Sequence, residues 1–246
     1  MQRIIDSHIH ACPINNPIER IKKELREAKI EEAVLIPWVR DEALEGEGFE
    51  RANRYVLEIA KAEKEMKFYP YCSISRDLKL PENHEEFYGA KWHCLADIYH
   101  SGWDWSEVKQ LIERIYSARL NVLIEDKFEL VCKFISMCPA DLTIIIPHMG
   151  IHPHYEAGGL MVDLRVLGRR WKILKGLKNV YFDTALSSAV IIQDCIGEVG
   201  LTRVLHGSDS PFGSIQRELM QTDFALIKPY EKRAILYENA SRILKK

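Results

Sequence analysis

The segment Leu142-Thr143-Ile144-Ile145-Ile146-Pro147-His148 decides the fold class, because it is apolar on both faces and ends in a histidine. Strands that read as nearly continuous apolar runs are typical of parallel sheets covered on both sides. We therefore predict a buried parallel strand at this position. His148 follows it directly.

Similar short apolar runs recur outward from this segment and alternate with longer amphipathic stretches. This alternation predicts repeated strand–helix units. Strands are predicted at 3–7, 33–37, 68–74, 89–95, 121–125, 142–147, 179–183 and 203–206, and helices around 18–28, 49–62, 108–115, 130–137, 162–174, 188–199 and 232–245. Eight strands predict a single-domain (β/α)8 TIM barrel over residues 1–246, a length that suits one barrel. An open doubly wound sheet is the alternative, since periodicity does not determine closure.

Composition and charge narrow the function classes. Of the residues, 47% are hydrophobic and 28% charged, and the formal net charge is −2, which is ordinary for a globular domain. Without a basic stripe, no nucleic-acid partner is expected. No apolar run approaches a membrane span, the start of the chain turns polar too early for a signal peptide, and the six cysteines form no CxxC pair. We expect a cytoplasmic protein with a small-molecule substrate and no membrane partner, and a homo-oligomer is left open.

Polar side chains cluster where the predicted strands end. They are His8 and His10 after the first strand, Lys91 and His93 in the fourth, Glu125 in the fifth, His148 after the sixth and Asp209 after the eighth. Catalytic residues of barrels lie at the carboxyl ends of the strands. Such groups would be costly in a plain core, where each needs a partner. The pattern therefore predicts a functional site at this end of the barrel.

The sharpest local signal is His8-Ile9-His10. Alternation along a strand puts both imidazoles on one face, where they suit zinc or a similar ion. The alternative is a pair of structural histidines at a strand end.

Two further signals come from the segments after the sixth and eighth strands. In Gly207-Ser208-Asp209-Ser210-Pro211, Asp209 can be a metal ligand, a base that takes a proton from metal-bound water, or both; a turn or helix-capping aspartate is the alternative. His148 leaves a buried strand two residues before Gly150, and a purely structural histidine is its alternative.

The sequence resembles the amidohydrolase-related branch of the amidohydrolase superfamily, which includes aminocarboxymuconate-semialdehyde decarboxylase and its relatives. The resemblance runs nearly end to end and rests on the order and spacing of several modest motifs. These are Asp6-Ser7-His8-Ile9-His10, Gly89-Ala90-Lys91-Trp92-His93, Pro147-His148-Met149-Gly150, Asn179-Val180-Tyr181-Phe182-Asp183-Thr184, Gly207-Ser208-Asp209-Ser210-Pro211 and Ile235-Leu236-Tyr237-Glu238-Asn239-Ala240.

The resemblance implies a distorted (β/α)8 barrel that binds one or two divalent ions, zinc being usual and manganese the alternative. It implies that His8 and His10 are ligands, that Asp209 ligates the metal or holds its water, and that His148 is a second-site ligand or the acid/base residue. Lys91 and His93 share one strand face and are candidates for substrate binding, as is His152 in the segment after His148.

One departure from the family pattern concerns Glu125. Relatives carry a histidine ligand after the fifth strand, whereas this chain reads Val122-Leu123-Ile124-Glu125. Glu125 is predicted to replace that histidine, because carboxylates bind zinc at similar distances. It could instead bridge two metals or form an ion pair, or the metal site could be lost.

Four functions are compatible with these residues. The preferred one is a metal-dependent hydrolase that uses metal-activated water on a small-molecule amide, ester or lactone. A metal-dependent non-oxidative decarboxylase on the same scaffold is the first alternative. A TatD-like nuclease is disfavoured, because the Gly-Glu-Ile-Gly and Glu-Thr-Asp motifs of that family are absent. A catalytically inactive barrel is the last alternative, kept because of Glu125.

Overall fold

The computed structural model describes residues 3–38, 46–93, 104–151, 163–225 and 228–245. Its centre is one sheet of eight parallel strands in sequential order. The strands are β1 (Ile5–Ala11), β2 (Glu32–Pro37), β3 (Lys67–Ser73), β4 (Gly89–His93), β5 (Asn121–Glu125), β6 (Ile144–Ile146), β7 (Val180–Asp183) and β8 (Val204–Leu205).

Backbone hydrogen bonds between β1 and the segment after β8 close the sheet. Ser7 N donates to His206 O at 2.8 Å, Asp209 N donates to His8 O at 2.7 Å, and His10 N donates to Ser210 O at 2.8 Å. The predicted (β/α)8 barrel is therefore confirmed, and the open doubly wound alternative is wrong. The prediction that β1 ends at Ser7 is also wrong, because pairing with this segment keeps the chain extended to Ala11.

Helices follow the strands on the outside of the barrel. They are α1 (Ile18–Glu27), α2 (Gly46–Ala62), α3 (Trp105–Ser117), α4 (Phe128–Met137), α5 (Leu164–Leu174), α6 (Ala189–Val199), α7 (Ile215–Ala225), α8 (Pro229–Arg233) and α9 (Asn239–Ile243), with one π-helical turn (Ala234–Glu238) between the last two. None of the helices in the described ranges has the length and hydropathy of a membrane span.

Local sequence explains where two of these helices begin. The side chain of Asp104 accepts a hydrogen bond from Ser106 N at the start of α3, and Asp163 accepts one from Arg165 N at the start of α5. Aspartate at this position satisfies a backbone N–H that has no partner within the helix.

Helix α7 was not predicted from the sequence. Its buried positions are Ile215, Glu218, Thr222 and Ala225, which have helical spacing. Two of the four are polar, so the apolar periodicity that identifies an amphipathic helix is weak here.

The amino-terminal half of the barrel interior is apolar. Ile5, Tyr71 and Leu123 from the strands form one buried cluster with Ala240 and Leu244 at the end of the chain. Asn121 at the start of β5 also donates to Ile243 O at 2.9 Å. The end of the chain therefore covers the amino-terminal end of the barrel. The polar strand residues lie at the opposite, carboxyl end, where barrel enzymes have their sites.

Candidate metal centre

His8 and His10 lie within β1 and point to the same side of the strand, as their spacing predicts. Their Nε2 atoms are 3.2 Å apart, and both residues are buried. Alternation alone explains this convergence, since one residue separates them. The two imidazoles therefore present one nitrogen each to a common point.

Asp209 brings a carboxylate to that point from the segment after β8. Its Oδ1 atom lies 3.3 Å from His8 Nε2 and 3.2 Å from His10 Nε2. The residue has a φ of 55°, which places it in the left-handed region, and Gly213 N donates to its carbonyl oxygen at 3.0 Å. A Cβ atom at Gly213 would lie 2.1 Å from Ser208 O, so this turn requires glycine there.

His148 approaches Asp209 from the other side. Its Nε2 atom is 3.3 Å from Asp209 Oδ2, and its ring stacks on that of His8 with centroids 5.4 Å apart and an interplanar angle of 1°. His148 and Met149 both have positive φ, at 55° and 54°. This conformation costs roughly 1–2 kcal/mol per residue, so contacts from the surrounding structure must hold it.

The surroundings of Asp209, His10 and His148 shift the pKa of each of these residues. Burial alone would raise the pKa of Asp209, but the charge of His8 and the hydrogen bonds from His10 and His148 hold it well below its usual range. Burial lowers the pKa of His10, which favours the neutral ring that binds a metal. For His148 burial also opposes the charged form, but the hydrogen bond to Asp209 and the charge of Glu125 outweigh it and raise the pKa.

Asp183 supports both His8 and His148, and it was not predicted as a site residue. Its Oδ2 atom is 2.9 Å from His8 Nδ1, and its Oδ1 atom accepts from His148 N at 2.9 Å. Burial would raise the pKa of Asp183, but the charge of His8 and its hydrogen bond outweigh this and lower it. The rule that polar residues at the carboxyl ends of barrel strands are functional would have identified it, because it ends β7.

Asp6 connects the two segments that carry the ligand atoms, and it too was not predicted as a site residue. Its Oδ1 atom accepts from His8 N at 3.1 Å and from Ser208 N at 3.0 Å. It is completely buried, and this burial raises its pKa to about 7, although hydrogen bonds from Ser208 and His8 oppose the shift. Asp6 thus ties β1 to the start of the Asp209 turn.

A second group lies beside His8, His10, Asp209 and His148, and it consists of Lys91, His93 and Glu125. Lys91 Nζ donates to Glu125 Oε2 at 2.8 Å and lies 3.5 Å from His8 Nε2, whereas His93 Nε2 is 3.9 Å from Glu125 Oε2. Burial would raise the pKa of Glu125, but the charges of Lys91, His93 and His148 keep it well below its usual range. Glu125 therefore lies in an ion pair with Lys91, one of the alternatives that its sequence position left open.

An aromatic pair covers the open side of His10. The ring of Phe212 meets that of His10 edge-on with centroids 5.6 Å apart, and Trp38 contacts Phe212 with centroids 5.0 Å apart. Phe212 is 57% exposed, so it lies at the mouth of the site.

The arrangement of His8, His10 and Asp209 fits a divalent ion. Ligands of a tetrahedral ion bound at about 2.0–2.1 Å lie about 3.3 Å from one another. His8 Nε2, His10 Nε2 and Asp209 Oδ1 have nearly these separations and form a three-ligand group within the described part of the chain. The carboxylate of Asp183 on the opposite nitrogen of His8 is also the usual support of a metal-binding imidazole.

One predicted site residue is not described by the structure, and one large cleft lies away from the site. His152 belongs to residues 152–162, outside the described residues, so its predicted substrate-binding role is not located. A cleft of about 540 Å³ lies at the opposite end of the barrel, lined by Arg119, Asn121 and Asp141 among others. None of the candidate site residues in the described ranges lines this cleft.

The family model described as Amidohydrolase matches residues 130–246 of the chain. This segment includes His148, Asp183 and Asp209. No curated protein matches the sequence.

Solved structures match the chain over nearly its whole length. The apo form of IDCase from Metarhizium anisopliae is 14% identical with a TM-score of 0.70, and the match covers 98% of this chain and 97% of that one. A probable 2-pyrone-4,6-dicarboxylic acid hydrolase from Acinetobacter baumannii is 13% identical with a TM-score of 0.71, covering 99% of each chain. The 2,6-dihydroxybenzoate decarboxylase from Rhizobium is 16% identical with a TM-score of 0.64, also covering 99% of each. The family model thus agrees with the resemblance to the amidohydrolase superfamily over residues 130–246, and the solved structures share the fold of the whole chain. Two of these neighbours are named as a probable hydrolase and a decarboxylase.

Proposed function

Taking the amidohydrolase match as the premise, we propose that this protein is a metal-dependent hydrolase acting on a small-molecule amide, ester or lactone. The observation that carries the proposal is the convergence of His8 Nε2, His10 Nε2 and Asp209 Oδ1 within 3.2–3.3 Å of one another. Enzymes of the amidohydrolase family are generally metal-dependent, which agrees with this donor set. Zinc is the proposed ion, because two imidazoles and one carboxylate are ligands that it favours, and manganese is the alternative.

A divalent ion bound here supplies Lewis acidity, which polarises a substrate carbonyl and lowers the pKa of water towards about 7. The protein supplies the proton transfers. Asp209 is ionised and lies between the ligand histidines and His148, so we assign it the role of proton acceptor. His148, 3.3 Å from Asp209 Oδ2, is assigned to donate a proton to the leaving group.

The second group is proposed to act at the substrate side of the site. His93 ends β4 and its side chain is 41% exposed, so it is available to bind substrate at the mouth of the barrel. Lys91 is buried against Glu125, so its predicted substrate-binding role requires this ion pair to open. The prediction from the sequence that Glu125 is a metal ligand stays a prediction, and its contact with Lys91 supports the ion-pair alternative.

A non-oxidative decarboxylase is the second candidate, because one of the similar solved structures is named as a 2,6-dihydroxybenzoate decarboxylase. The scaffold is the same, and the two reactions differ in whether water is added to the product. Measuring water incorporation and carbon dioxide release on one substrate panel therefore separates them.

The test begins with elemental analysis of protein purified without chelator. The zinc-loaded and manganese-loaded forms are then assayed on a panel of lactones, esters, amides and unsaturated carboxylic acids in ¹⁸O-labelled water. We expect bound metal and ¹⁸O in the product, both lost in Asp209→Asn, whose side chain has the same size. Carbon dioxide release without ¹⁸O incorporation would favour the decarboxylase. Protein that binds neither ion in excess would overturn both proposals.

A further inference from the structure

The carboxylate of Asp183 accepts hydrogen bonds from two directions at once. On one side, Oδ1 accepts from two backbone groups, His148 N at 2.9 Å and Ala185 N at 3.1 Å. On the other side, Oδ2 lies 2.9 Å from His8 Nδ1. Asp183 and His8 are both completely buried, so water does not replace any of these contacts.

The types of donor around Asp183 determine where the proton of His8 lies. Backbone N–H groups can only donate, and an ionised carboxylate oxygen can only accept. A neutral imidazole carries one proton, and the nitrogen facing such an oxygen is the one that holds it. Nε2 also faces a carboxylate oxygen, Asp209 Oδ1, but at 3.3 Å rather than the 2.9 Å of the Asp183 contact, and the ammonium of Lys91, which can only donate, lies 3.5 Å from Nε2. In the neutral ring of His8, Nδ1 is therefore protonated and Nε2 keeps its lone pair. That lone pair faces His10 Nε2 and Asp209 Oδ1, at 3.2 and 3.3 Å.

The same carboxylate also holds the backbone of His148. His148 has a φ of 55°, and its N–H is bound to Asp183 Oδ1. The ring of His148 also stacks on that of His8, at an interplanar angle of 1°, so the two residues that Asp183 binds lie against each other.

We infer that Asp183 is a positioning residue that fixes His8 in the Nδ1–H tautomer and holds His148 in its left-handed conformation, so that one carboxylate orients both histidines. The tautomer is a property of the metal-free protein and does not depend on the proposed function. Its consequence for metal binding rests on that function, because only a free Nε2 lone pair can bind an ion.

Asp183→Asn makes a specific prediction, because an amide has one accepting oxygen and one donating nitrogen. If the amide oxygen keeps the two backbone N–H groups, its NH₂ group faces His8 Nδ1. The neutral ring then has to accept at Nδ1 and carry its proton on Nε2, the metal-binding atom. The reverse orientation would set the NH₂ group against two N–H donors, so we expect the first.

The experiment is a ¹H–¹⁵N multiple-bond NMR spectrum of metal-free protein labelled at histidine, recorded over a pH titration. The His8 signals are assigned by their loss in His8→Gln. The neutral form of His8 is expected to be Nδ1–H in the wild type and Nε2–H in Asp183→Asn. The control is Glu32→Gln, which alters a buried carboxylate bound to Tyr69 at the other end of the barrel and should leave His8 unchanged.

Zinc affinity, measured by competition with a chelating dye, forms the second arm. Loss of such a supporting carboxylate typically costs 10–100-fold in affinity. We expect Asp183→Asn to weaken zinc binding by about this factor while Glu32→Gln does not. If neither the wild type nor the variants bind zinc, the proposed function fails, but the result on the His8 tautomer still stands.

The inference is overturned if neutral His8 in the wild type carries its proton on Nε2, or if Asp183→Asn folds and leaves the tautomer at Nδ1. Because the wild-type spectrum alone can give the first result, a variant that fails to fold does not remove the test.

Discussion

The ammonium group of Lys91 lies 2.8 Å from Glu125 Oε2 and 3.5 Å from His8 Nε2, with both members of the ion pair buried. A positive charge so close to a candidate metal ligand opposes the binding of a cation unless it is neutralised. Glu125 supplies that neutralisation from the end of β5. This relationship gives Glu125 a role that does not require it to touch the metal.

Changing Glu125 alone should therefore be harmful, and changing both partners should not. Glu125→Gln leaves Lys91 buried without a counter-ion, which typically costs about 3–5 kcal/mol, and should also weaken zinc binding. The double variant Lys91→Met with Glu125→Gln should recover both properties. Urea unfolding and dye competition measure them. A double variant that folds but still binds zinc weakly would indicate that Glu125 is a ligand.

Zinc should stabilise the protein against heat through its three proposed ligands. A ligand present at 100 times its dissociation constant adds about 2.7 kcal/mol, which raises Tm by roughly 5–10 °C for a domain of this size. His10→Ala should lose this shift, and the matched control His84→Ala, whose Nδ1 atom contacts Pro81 O outside the site, should keep it. Scanning calorimetry with and without zinc measures this shift in Tm. A shift in His10→Ala as large as that of the wild type would exclude His10 as a ligand.

Glu218 should make the stability of the protein depend on pH. It is buried in α7, and burial raises its pKa to about 7, although the charge of Arg217 opposes the shift. Because the folded pKa lies above the unfolded one, the protonated residue favours folding below about pH 4.5, and this contribution is lost as pH rises through about 7. The loss is at most about 3 kcal/mol, since one pKa unit corresponds to about 1.4 kcal/mol.

Glu218→Gln tests this directly, because the amide does not titrate. The difference in unfolding free energy between wild type and variant, measured in urea from pH 4.5 to 8, should shift in favour of the variant as pH rises. A difference that stays constant over this range would show that Glu218 titrates normally in the folded protein.

Two glycines should respond oppositely to the same substitution. A Cβ atom at Gly89 would lie 2.4 Å from the ring of Tyr71, which is fully buried, so Gly89→Ala should destabilise the barrel by about 1–3 kcal/mol. Gly168 lies inside α5 with nothing within 4 Å of the added atom, so Gly168→Ala should stabilise by about 0.5–1 kcal/mol. Urea unfolding of both variants checks the signs, and equal effects would contradict the close approach at Gly89.

Apart from helix α7, the sequence by itself determined the strand–helix order of the barrel, and it also determined the pairing of His8 with His10. Both depend on local periodicity: apolar runs such as Ile144–Ile146 are readable as strands, and a spacing of two puts side chains on one face. The placement of polar residues at strand ends also predicted that His148 and Asp209 lie at the same end of the barrel as His8 and His10, because the carboxyl ends of parallel strands meet at one face of a barrel.

Only the tertiary structure decided the closure of the barrel and the partners of the site residues. Closure depends on hydrogen bonds between β1 and residues 206–210, which lie about two hundred positions apart in the chain. The binding of Glu125 to Lys91, and of Asp183 to both His8 and His148, likewise depends on neighbouring strands rather than neighbouring residues. A sequence shows which groups each strand delivers to the site, but the hydrogen-bond partner of a buried charge depends on distances that exist only after the strands assemble.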